Sequence, residues 1–296
     1  MYDIKAYFEA GDAEEAVRLL CAHPDACIIA GGSDVLVQIR DGKRKNAELV
    51  SIRGIEALRG ISRTPDGTLR IGALTSFARL GKDPVILECI PPLAEAACQV
   101  GSPQIRNIGT LGGNICNASP TADTPPTLLA WDAQLELFGP EGTHCIPLQD
   151  FYLGSKAVAK KPEELLTAVL ISAGAYRGFS GKMVKYAARE ALDTSIVNCS
   201  VSVCLSEDGE RIEKARAAFG GALGPFPARA STAEATVTGQ RLNGQLPALF
   251  AEAFLQDIHP RDGWRASRAL REQIAGELAK RMFLESVKRA GGVIHE

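Results

Sequence analysis

The chain has 296 residues, of which 46% are hydrophobic and 23% charged, and its formal net charge is −2. This composition predicts a globular protein of two or three subdomains, and the near-zero charge gives no reason to expect nucleic acid or an anionic membrane as a partner. The first residues lack the basic-then-apolar pattern of a signal peptide, and no apolar run approaches the roughly 20 residues that span a bilayer. We therefore expect a cytoplasmic protein.

Residues 1–55 have the pattern of a small α/β unit. Apolar residues at helical spacing predict a helix over 13–23, and a second helix begins within 35–40. Short apolar runs predict strands over 26–30 and 48–52. Strands that alternate with helices indicate that these elements pack as one α/β layer.

Residues 56–176 have the pattern of a second, α+β unit. A strand is predicted over 68–74, and a helix over 91–101 that ends at a glycine. Segments 127–139 and 165–171 return to strand-like alternation or short apolar runs. We take residues 1–176 as one domain that consists of these two units.

Residues 177–296 predict a third unit, made of a sheet and helices. Segment 195–221 reads as a β-hairpin with Asp208 and Gly209 in its turn. Apolar residues alternate along its first strand with mostly small polar ones, which predicts a sheet with one covered face. The apolar members are Val197, Cys199, Val201, Val203 and Leu205. An amphipathic helix over 269–292 is expected to cover that sheet.

The cysteines and histidines give little support to a metal centre. None of the eight cysteines forms a Cys-x-x-Cys pair, and the four histidines are far apart in the sequence (His23, His144, His259 and His295). The spacing of Cys199 and Cys204 occurs in plant-type iron–sulfur proteins, but the companion Cys-x-x-Cys is missing. We expect neither a zinc site nor an iron–sulfur cluster in this chain.

Two glycine-rich loops are the candidate functional segments. The first, AGGSD (30–34), lies between a predicted strand and a predicted helix, where free backbone N–H groups and the helix dipole favour an anion. Asp34 fits this interpretation poorly, because its carboxylate should repel a phosphate. Gly-Gly at such a junction is also common as a simple turn, so both interpretations stay open for this loop alone.

The second loop lies in the turn-forming run RNIGTLGGNICNASPTADTPP (106–126). Its segment NIGTLGGN (107–114) offers closely spaced N–H groups and almost no cations. The chain has neither the G-x-G-x-x-G pattern of a Rossmann fold nor the G-K-[ST] end of a P-loop. Two donor-rich loops of this kind suit a diphosphate held by backbone dipoles, so a phosphate-bearing cofactor is predicted between the first two units.

The segments AGGSDVLVQIR, GALTSF and GSPQIRNIGTLGGNICNASPTADTPPTLLAWDA resemble the FAD-binding subunits of molybdenum-containing hydroxylases. The resemblance runs nearly end to end and is strongest to the medium subunits of bacterial xanthine dehydrogenases. It implies a two-subdomain FAD-binding domain of the vanillyl-alcohol-oxidase (PCMH) type over 1–176, with subdomains of about 1–55 and 56–176. A C-terminal sheet-and-helix domain over 177–296 would follow. The cysteine-rich insertion of some related reductases is absent.

The resemblance also implies which residues bind non-covalent FAD. By position, the first diphosphate loop would be Cys27, Ile28, Ile29, Ala30, Gly31, Gly32, Ser33 and Asp34, and the second would be Gly109, Thr110, Leu111, Gly112, Gly113 and Asn114. Ser119 and Asp123 would bind ribityl or ribose hydroxyls. Leu165 would contact the isoalloxazine ring, and Lys185 would approach it from the third unit. Cys116 is the one candidate for a covalent link to flavin, although a small buried thiol is the better interpretation.

In such complexes a molybdopterin-binding subunit oxidises the substrate, a second subunit carries two 2Fe-2S clusters, and FAD passes the electrons to NAD⁺. The resemblance therefore implies an oxidoreductase subunit in a heterotrimer. Lys185, Tyr186 and Arg189 would tune the flavin or guide NAD⁺, unless they lie on a solvated strand edge, and loop 189–195 would line the nicotinamide approach. The alternatives are a stand-alone flavin oxidase or dehydrogenase, and a scaffold without cofactor. Xanthine, another purine, nicotinate or another N-heterocycle remain open as substrates, and a quinone or O₂ remain open as acceptors.

Overall fold

The computed structural model of the chain describes residues 2–294; Met1, His295 and Glu296 lie outside the described part. The first unit is a three-stranded parallel sheet in the order β1–β3–β2. Its elements are β1 (Ile4–Glu9), α1 (Ala13–Ala22), β2 (Cys27–Ile29), α2 (Val35–Arg40) and β3 (Ala47–Ser51). Both helices and both strands predicted for this unit are thus confirmed. Because β2 ends immediately before the first glycine loop, that loop connects the sheet to α2.

The second unit is built on a five-stranded antiparallel sheet in the order β4–β5–β10–β6–β7, beside a small hairpin, β8–β9. The strands are β4 (Ile61–Arg63), β5 (Leu69–Gly72), β6 (Gln134–Gly139), β7 (Gly142–Pro147), β8 (Tyr152–Gly154), β9 (Ala157–Val158) and β10 (Leu165–Ile171). The helices are α3 (Phe77–Leu80), α4 (Pro84–Cys89), α5 (Pro91–Cys98), α6 (Pro103–Ile108), α7 (Leu111–Cys116), α8 (Pro125–Ala130) and α9 (Ala173–Tyr176).

Two segments of this unit are more helical than the sequence suggested. The prediction of strand-like structure over 127–139 is confirmed only from Gln134 onward. It is wrong for the first residues of that segment, because α8 extends to Ala130. Pro125 and Pro126 occupy the first turn of that helix, where the fixed φ of proline is favourable and its missing N–H is not needed. The turn-forming run also contains α7, whose first turn is capped by the hydroxyl of Thr110.

The third unit is a four-stranded antiparallel sheet in the order β11–β12–β13–β14. Its elements are β11 (Phe179–Tyr186), β12 (Val197–Leu205), β13 (Ile212–Gly220), β14 (Ala228–Arg229), α10 (Ser231–Val237), α11 (Leu246–Asp257) and α12 (Arg268–Arg289). The hairpin is confirmed, with Gly209 in its turn at φ +72°. The long C-terminal helix α12 packs across β11 and β12, as predicted.

The prediction of a sheet with only one covered face is wrong. Every residue of β12 from Val197 to Val203 is buried, including its small polar residues. Ser202 Oγ donates to the carbonyl of Ala130 at 2.8 Å, and Asn198 Nδ2 donates to the carbonyl of Ala122 at 3.0 Å. The second face of this sheet therefore packs against α8 of the second unit. Asn198 and Ser202 donate hydrogen bonds to backbone there, whereas Ser200 Oγ is buried with no hydrogen-bond partner within residues 2–294.

No helix between residues 2 and 294 is both long and apolar enough to cross a membrane. The same part of the chain holds no group of three or more His, Cys, Asp or Glu side chains that could bind a metal ion. All eight cysteines are free.

Candidate cofactor-binding site

A cavity of about 450 Å³ lies between the first and second units, within the size range of about 300–1,000 Å³ that is usual for small-molecule sites. Both glycine loops contribute to its wall. The predicted site residues that line it are Cys27, Ile28, Ile29, Ala30, Gly31, Gly32, Ser33, Asp34, Gly109, Thr110, Gly112, Gly113, Asn114 and Leu165. The fold thus brings together two segments that are more than seventy residues apart.

The first loop presents unpaired backbone donors to this cavity. The amide N–H groups of Gly31, Gly32, Ser33 and Asp34 donate no hydrogen bond to any acceptor within residues 2–294. Gly32 has φ +73°, a left-handed conformation in which side chains are disfavoured. Because partly buried N–H groups are normally paired, four consecutive free donors indicate a site for an acceptor-rich ligand.

The close approach of the two loops requires a glycine at position 31. A Cβ on Gly31 would lie 1.9 Å from the carbonyl oxygen of Ile108, at the end of α6. That distance is far inside van der Waals contact, so any side chain there would push the loops apart. Gly31 therefore holds the two walls of the cavity together.

The N–H groups of the second loop are largely paired within the protein, in contrast to the sequence-based expectation. The donors with their acceptors are Leu111 to Thr75 O (3.0 Å), Gly112 to Ala73 O (2.8 Å), Gly113 to Thr110 Oγ1 (3.1 Å) and Asn114 to Thr110 O (3.0 Å). This loop instead leaves space beside Gly113: apart from neighbouring backbone of α7, a Cβ there would meet only Thr110 Oγ1 within 4 Å, at 2.9 Å. Gly113 is thus a gap in the cavity wall against which a ligand can lie.

Asp34 is compensated in a way the sequence could not show. Its carboxylate accepts a hydrogen bond from Gln38 Nε2, one helical turn further along α2. Lys156, on the β8–β9 turn, places its Nζ 3.9 Å from Asp34 Oδ1 and donates to Asn117 Oδ1 at 2.6 Å. The carboxylate is therefore tied into a network at the edge of the cavity and is not an isolated negative charge facing the ligand.

Two cations line the cavity that sequence reasoning missed, Arg44 and Lys160. Arg44 Nε donates to Gln38 Oε1 at 2.8 Å, and Lys160 Nζ donates to the carbonyls of Lys161 and Glu164 at 2.7 and 2.8 Å. Burial lowers the pKa of Lys160 below its usual range, against the opposing effect of nearby acidic groups. Neither residue belongs to a glycine loop, so only the fold could reveal that they flank the same cavity.

Asp123 and Lys185 do not line this cavity but form a buried ion pair between the second and third units. Lys185 Nζ lies 2.8 Å from Asp123 Oδ2 and also donates to the carbonyl of Gln99 at 3.0 Å. Ser195 Oγ donates to Asp123 Oδ1 at 2.5 Å. Burial raises the pKa of the Asp123 carboxyl, and the Lys185 ammonium opposes that rise. Lys185 is therefore not on a solvated strand edge.

Four further residues singled out in the sequence also lie outside the cavity wall. Leu111 is fully buried in the core of the second unit. Ser119 Oγ lies 3.1 Å from Thr121 Oγ1 in the loop before α8. Tyr186 is 44% exposed, and Arg189 is an exposed residue that forms an ion pair with Asp193. Tyr186, the last residue of β11, thus matches the solvated strand edge, whereas Arg189 lies in the loop that follows the strand.

The two cysteines on the cavity wall, Cys27 and Cys116, are poor nucleophiles. Burial raises the pKa of Cys116 to about 11 and also raises that of Cys27, where Arg44 and Lys160 oppose the rise. Because the thiolate is the reactive form, a raised pKa makes both thiols less reactive near neutral pH than an ordinary exposed cysteine. These thiols therefore do not favour a covalent link to a ligand in the cavity.

Comparison with known proteins assigns both parts of the chain. Residues 2–172 match the family described as the FAD binding domain in molybdopterin dehydrogenase, and residues 182–286 match the carbon monoxide dehydrogenase flavoprotein C-terminal domain. The chain is 36% identical over 292 residues to the putative xanthine dehydrogenase FAD-binding subunit of Escherichia coli K12, covering 99% of each. It is 28% identical to the nicotinate dehydrogenase FAD-subunit of Eubacterium barkeri, covering 98% of each.

A solved structure shares the whole architecture. In carbon monoxide dehydrogenase from Hydrogenophaga pseudoflava that lacks the Mo-pyranopterin moiety of its cofactor, one chain superimposes with a TM-score of 0.92 at 28% identity, covering 98% of this chain and 99% of that one. The predicted fold class, a two-subdomain FAD-binding domain followed by a sheet-and-helix domain, is therefore confirmed. The chain belongs to the family of FAD-binding subunits of the molybdenum hydroxylases.

Proposed function

We propose that this chain holds non-covalent FAD in the cavity between its first two units and serves as the electron-transfer subunit of a xanthine dehydrogenase-like complex. The observation that carries the proposal is the row of four unpaired amides at Gly31–Asp34, in a loop that lines the same cavity as Gly113. The diphosphate of a dinucleotide can accept hydrogen bonds from such amides, and its flat rings can pack against apolar walls. The cavity supplies those walls with residues such as Ile29, Leu165 and Leu166.

The protein's own residues would bind and orient the cofactor. The amides of the first loop would hold the diphosphate, while Gly113 leaves room for it and Gly31 keeps the loops at the required separation. Asp123 and Lys185 remain predicted contacts, for a cofactor that extends beyond the cavity toward the third unit. When bound, FAD would supply the capacity to take up electrons singly and release them as a pair, which no side chain of the chain can do.

Electrons would reach the cofactor from 2Fe-2S clusters on a partner subunit, after a molybdopterin-binding subunit has oxidised the substrate, and would leave to NAD⁺. Loop 189–195, next to the buried Lys185, is the proposed side for NAD⁺ to approach. We also propose a cytoplasmic heterotrimer.

Xanthine is the proposed substrate of the complex because the identity of 36% to a xanthine dehydrogenase subunit exceeds the 28% to a nicotinate dehydrogenase subunit. The test is to purify the complex through a tag on this chain and supply xanthine, hypoxanthine or nicotinate, each with NAD⁺, a quinone analogue or O₂. We expect NADH to form with xanthine. Turnover of nicotinate alone, or reduction of a quinone alone, would contradict the substrate or the acceptor separately.

A further inference from the structure

Two basic side chains on the cavity wall have no acidic partner. Arg44 and Lys160 line the cavity, and neither forms an ion pair with a carboxylate of residues 2–294. The acceptors they do bond are neutral: an amide oxygen of Gln38 and the backbone carbonyls of Lys161 and Glu164. Both side chains thus retain N–H donors that no carboxylate of residues 2–294 occupies.

The charge of the cavity wall is positive as a result. Asp34, Arg44 and Lys160 are the only Asp, Glu, Lys or Arg residues among those that line it. Asp34 is already bonded to Gln38 and lies 3.9 Å from Lys156, a third cation at the edge of the cavity. A partly buried ammonium without a counter-ion, such as that of Lys160, is unfavourable unless an anion restores the interactions lost with water.

We propose that Arg44 and Lys160, together with the free amides of Gly31–Asp34, bind the diphosphate of a dinucleotide cofactor in this cavity. The ligand class is a nucleoside diphosphate ester, so binding should depend on the phosphates and on salt. This assignment rests on the FAD-binding function proposed above. It adds two charged contacts to a site that the sequence indicated would use backbone dipoles alone.

The test uses flavin-free full-length protein and titrations with FAD, followed by quenching of flavin fluorescence at several NaCl concentrations. Arg44→Gln and Lys160→Gln should each weaken FAD binding by about tenfold or more, and should flatten its salt dependence. Arg40→Gln and Lys161→Gln are matched controls, because both side chains are exposed, outside the cavity wall, and paired with Asp41 and Glu141. We expect FAD binding of the controls to match that of the unmodified chain.

Lys160 also anchors the loop before β10 through its backbone acceptors, so loss of binding alone would not separate charge from structure. Lys160→Arg keeps the charge and should restore most of the affinity and the salt dependence. ADP should compete with FAD on the unmodified chain and more weakly on both glutamine variants, whereas any binding of riboflavin, which has no phosphate, should not change.

The outcomes separate this assignment from the function on which it rests. Arg44→Gln and Lys160→Gln proteins that bind FAD as tightly and with the same salt dependence as the unmodified chain would overturn the assignment alone. If Lys160→Gln and Lys160→Arg lose the same amount of FAD affinity and keep the salt dependence of the unmodified chain, Lys160 has a purely structural role. That result would overturn the proposed contact between Lys160 and the diphosphate. Binding of ADP but not FAD by the unmodified chain would support the phosphate contacts and contradict the proposed FAD function.

Discussion

Lys185 Nζ and Asp123 Oδ2 lie 2.8 Å apart, and both side chains are more than 90% buried. Lys185 is on β11 of the third unit, and Asp123 is in the loop before α8 of the second. Ser195 and Asn198 bring two further polar groups to the same carboxylate. This ion pair joins the two domains at the end of the segment that also forms the second glycine loop.

Removing Lys185 should destabilise the protein far more than removing an exposed charge. Lys185→Met leaves a buried carboxylate without its counter-ion, for which a loss of about 3 kcal/mol in the free energy of unfolding is expected. Asp123→Asn/Lys185→Met removes both charges and should be markedly less destabilised than the sum of the two single variants. Urea unfolding of all four proteins measures this coupling, and purely additive effects would show that the pair does not act as a unit.

The loss of unfolding free energy in Lys185→Met, relative to the unmodified protein, should depend on pH. Burial raises the pKa of Asp123, and the variant loses the ammonium that opposes that rise, so its folded state favours the protonated carboxyl even more. A carboxyl whose pKa is raised on folding contributes most stability below its unfolded pKa and loses it as the pH rises through the folded pKa. The difference from the unmodified protein should therefore shrink as the pH falls from 7 toward about 4. A constant or growing difference would be inconsistent with an ionised Asp123.

Gly113→Val should abolish retention of FAD while the protein remains folded. The new side chain would enter the cavity beside Thr110 Oγ1, which lies 2.9 Å from the position of its Cβ and would have to shift. Valine has a higher helix propensity than glycine, so α7 itself should persist. The measurement is the ratio of flavin to protein after gel filtration, with thermal unfolding as the check on the fold. Gly174→Val is a matched control. Gly174 is exposed and lies in a helix, and a Cβ at this position would have open space around it. Stoichiometric FAD in Gly113→Val would contradict the role of the second loop.

Gly31→Ala, in contrast, should destabilise the folded protein itself. Its Cβ would overlap the backbone carbonyl of Ile108, so the two loops must separate at a cost of about 1–3 kcal/mol. Urea unfolding should show this loss even for flavin-free protein, whereas Gly54→Ala, with open space around its Cβ, should change stability little. Equal stabilities of the two variants would mean that the loops do not need their close approach.

Cys116 should resist alkylation at neutral pH. Its pKa of about 11 keeps the thiol protonated, while Cys21, Cys98 and Cys145 are exposed. Peptide mass spectrometry after brief treatment with iodoacetamide at pH 7 should find label on the exposed cysteines and none on Cys116. Labelling of Cys116 as fast as that of Cys21 would show a reactive thiol and reopen the question of a covalent flavin.

Hydrophobic periodicity predicted most helices and strands because each of them buries one face. The helix at 13–23 has one apolar stripe and matches α1. The C-terminal helix was also predicted from apolar residues at helical spacing and matches α12, although the buried face of α12 includes Arg271 and Ser286, and Leu270 is exposed. The second face of β12 was not predictable in this way, because Ser200 and Ser202 resemble solvent-facing residues in a sequence. Ser202 is buried since its hydroxyl satisfies the free carbonyl at the end of α8.

The candidate site was predictable only where local sequence determines local structure. The pattern strand–Gly-Gly–helix identified the first loop, whose free amides follow directly from that geometry. The pairing of the second loop's amides depends on Ala73 and Thr75, which β5 and the turn after it bring alongside. Arg44 and Lys160 lie 116 positions apart and line the same cavity only because the two units pack together, so no local pattern could indicate them.

The most direct test of the central claim is an absorption spectrum of the purified chain, recorded with added FAD after gel filtration and again after acid precipitation. We expect flavin bands in stoichiometric amount that acid releases into the supernatant as FAD, and their absence from Gly113→Val treated in parallel. A folded chain that stays colourless with excess FAD would contradict the proposed FAD-binding function, and flavin that remains with the precipitate would contradict non-covalent binding.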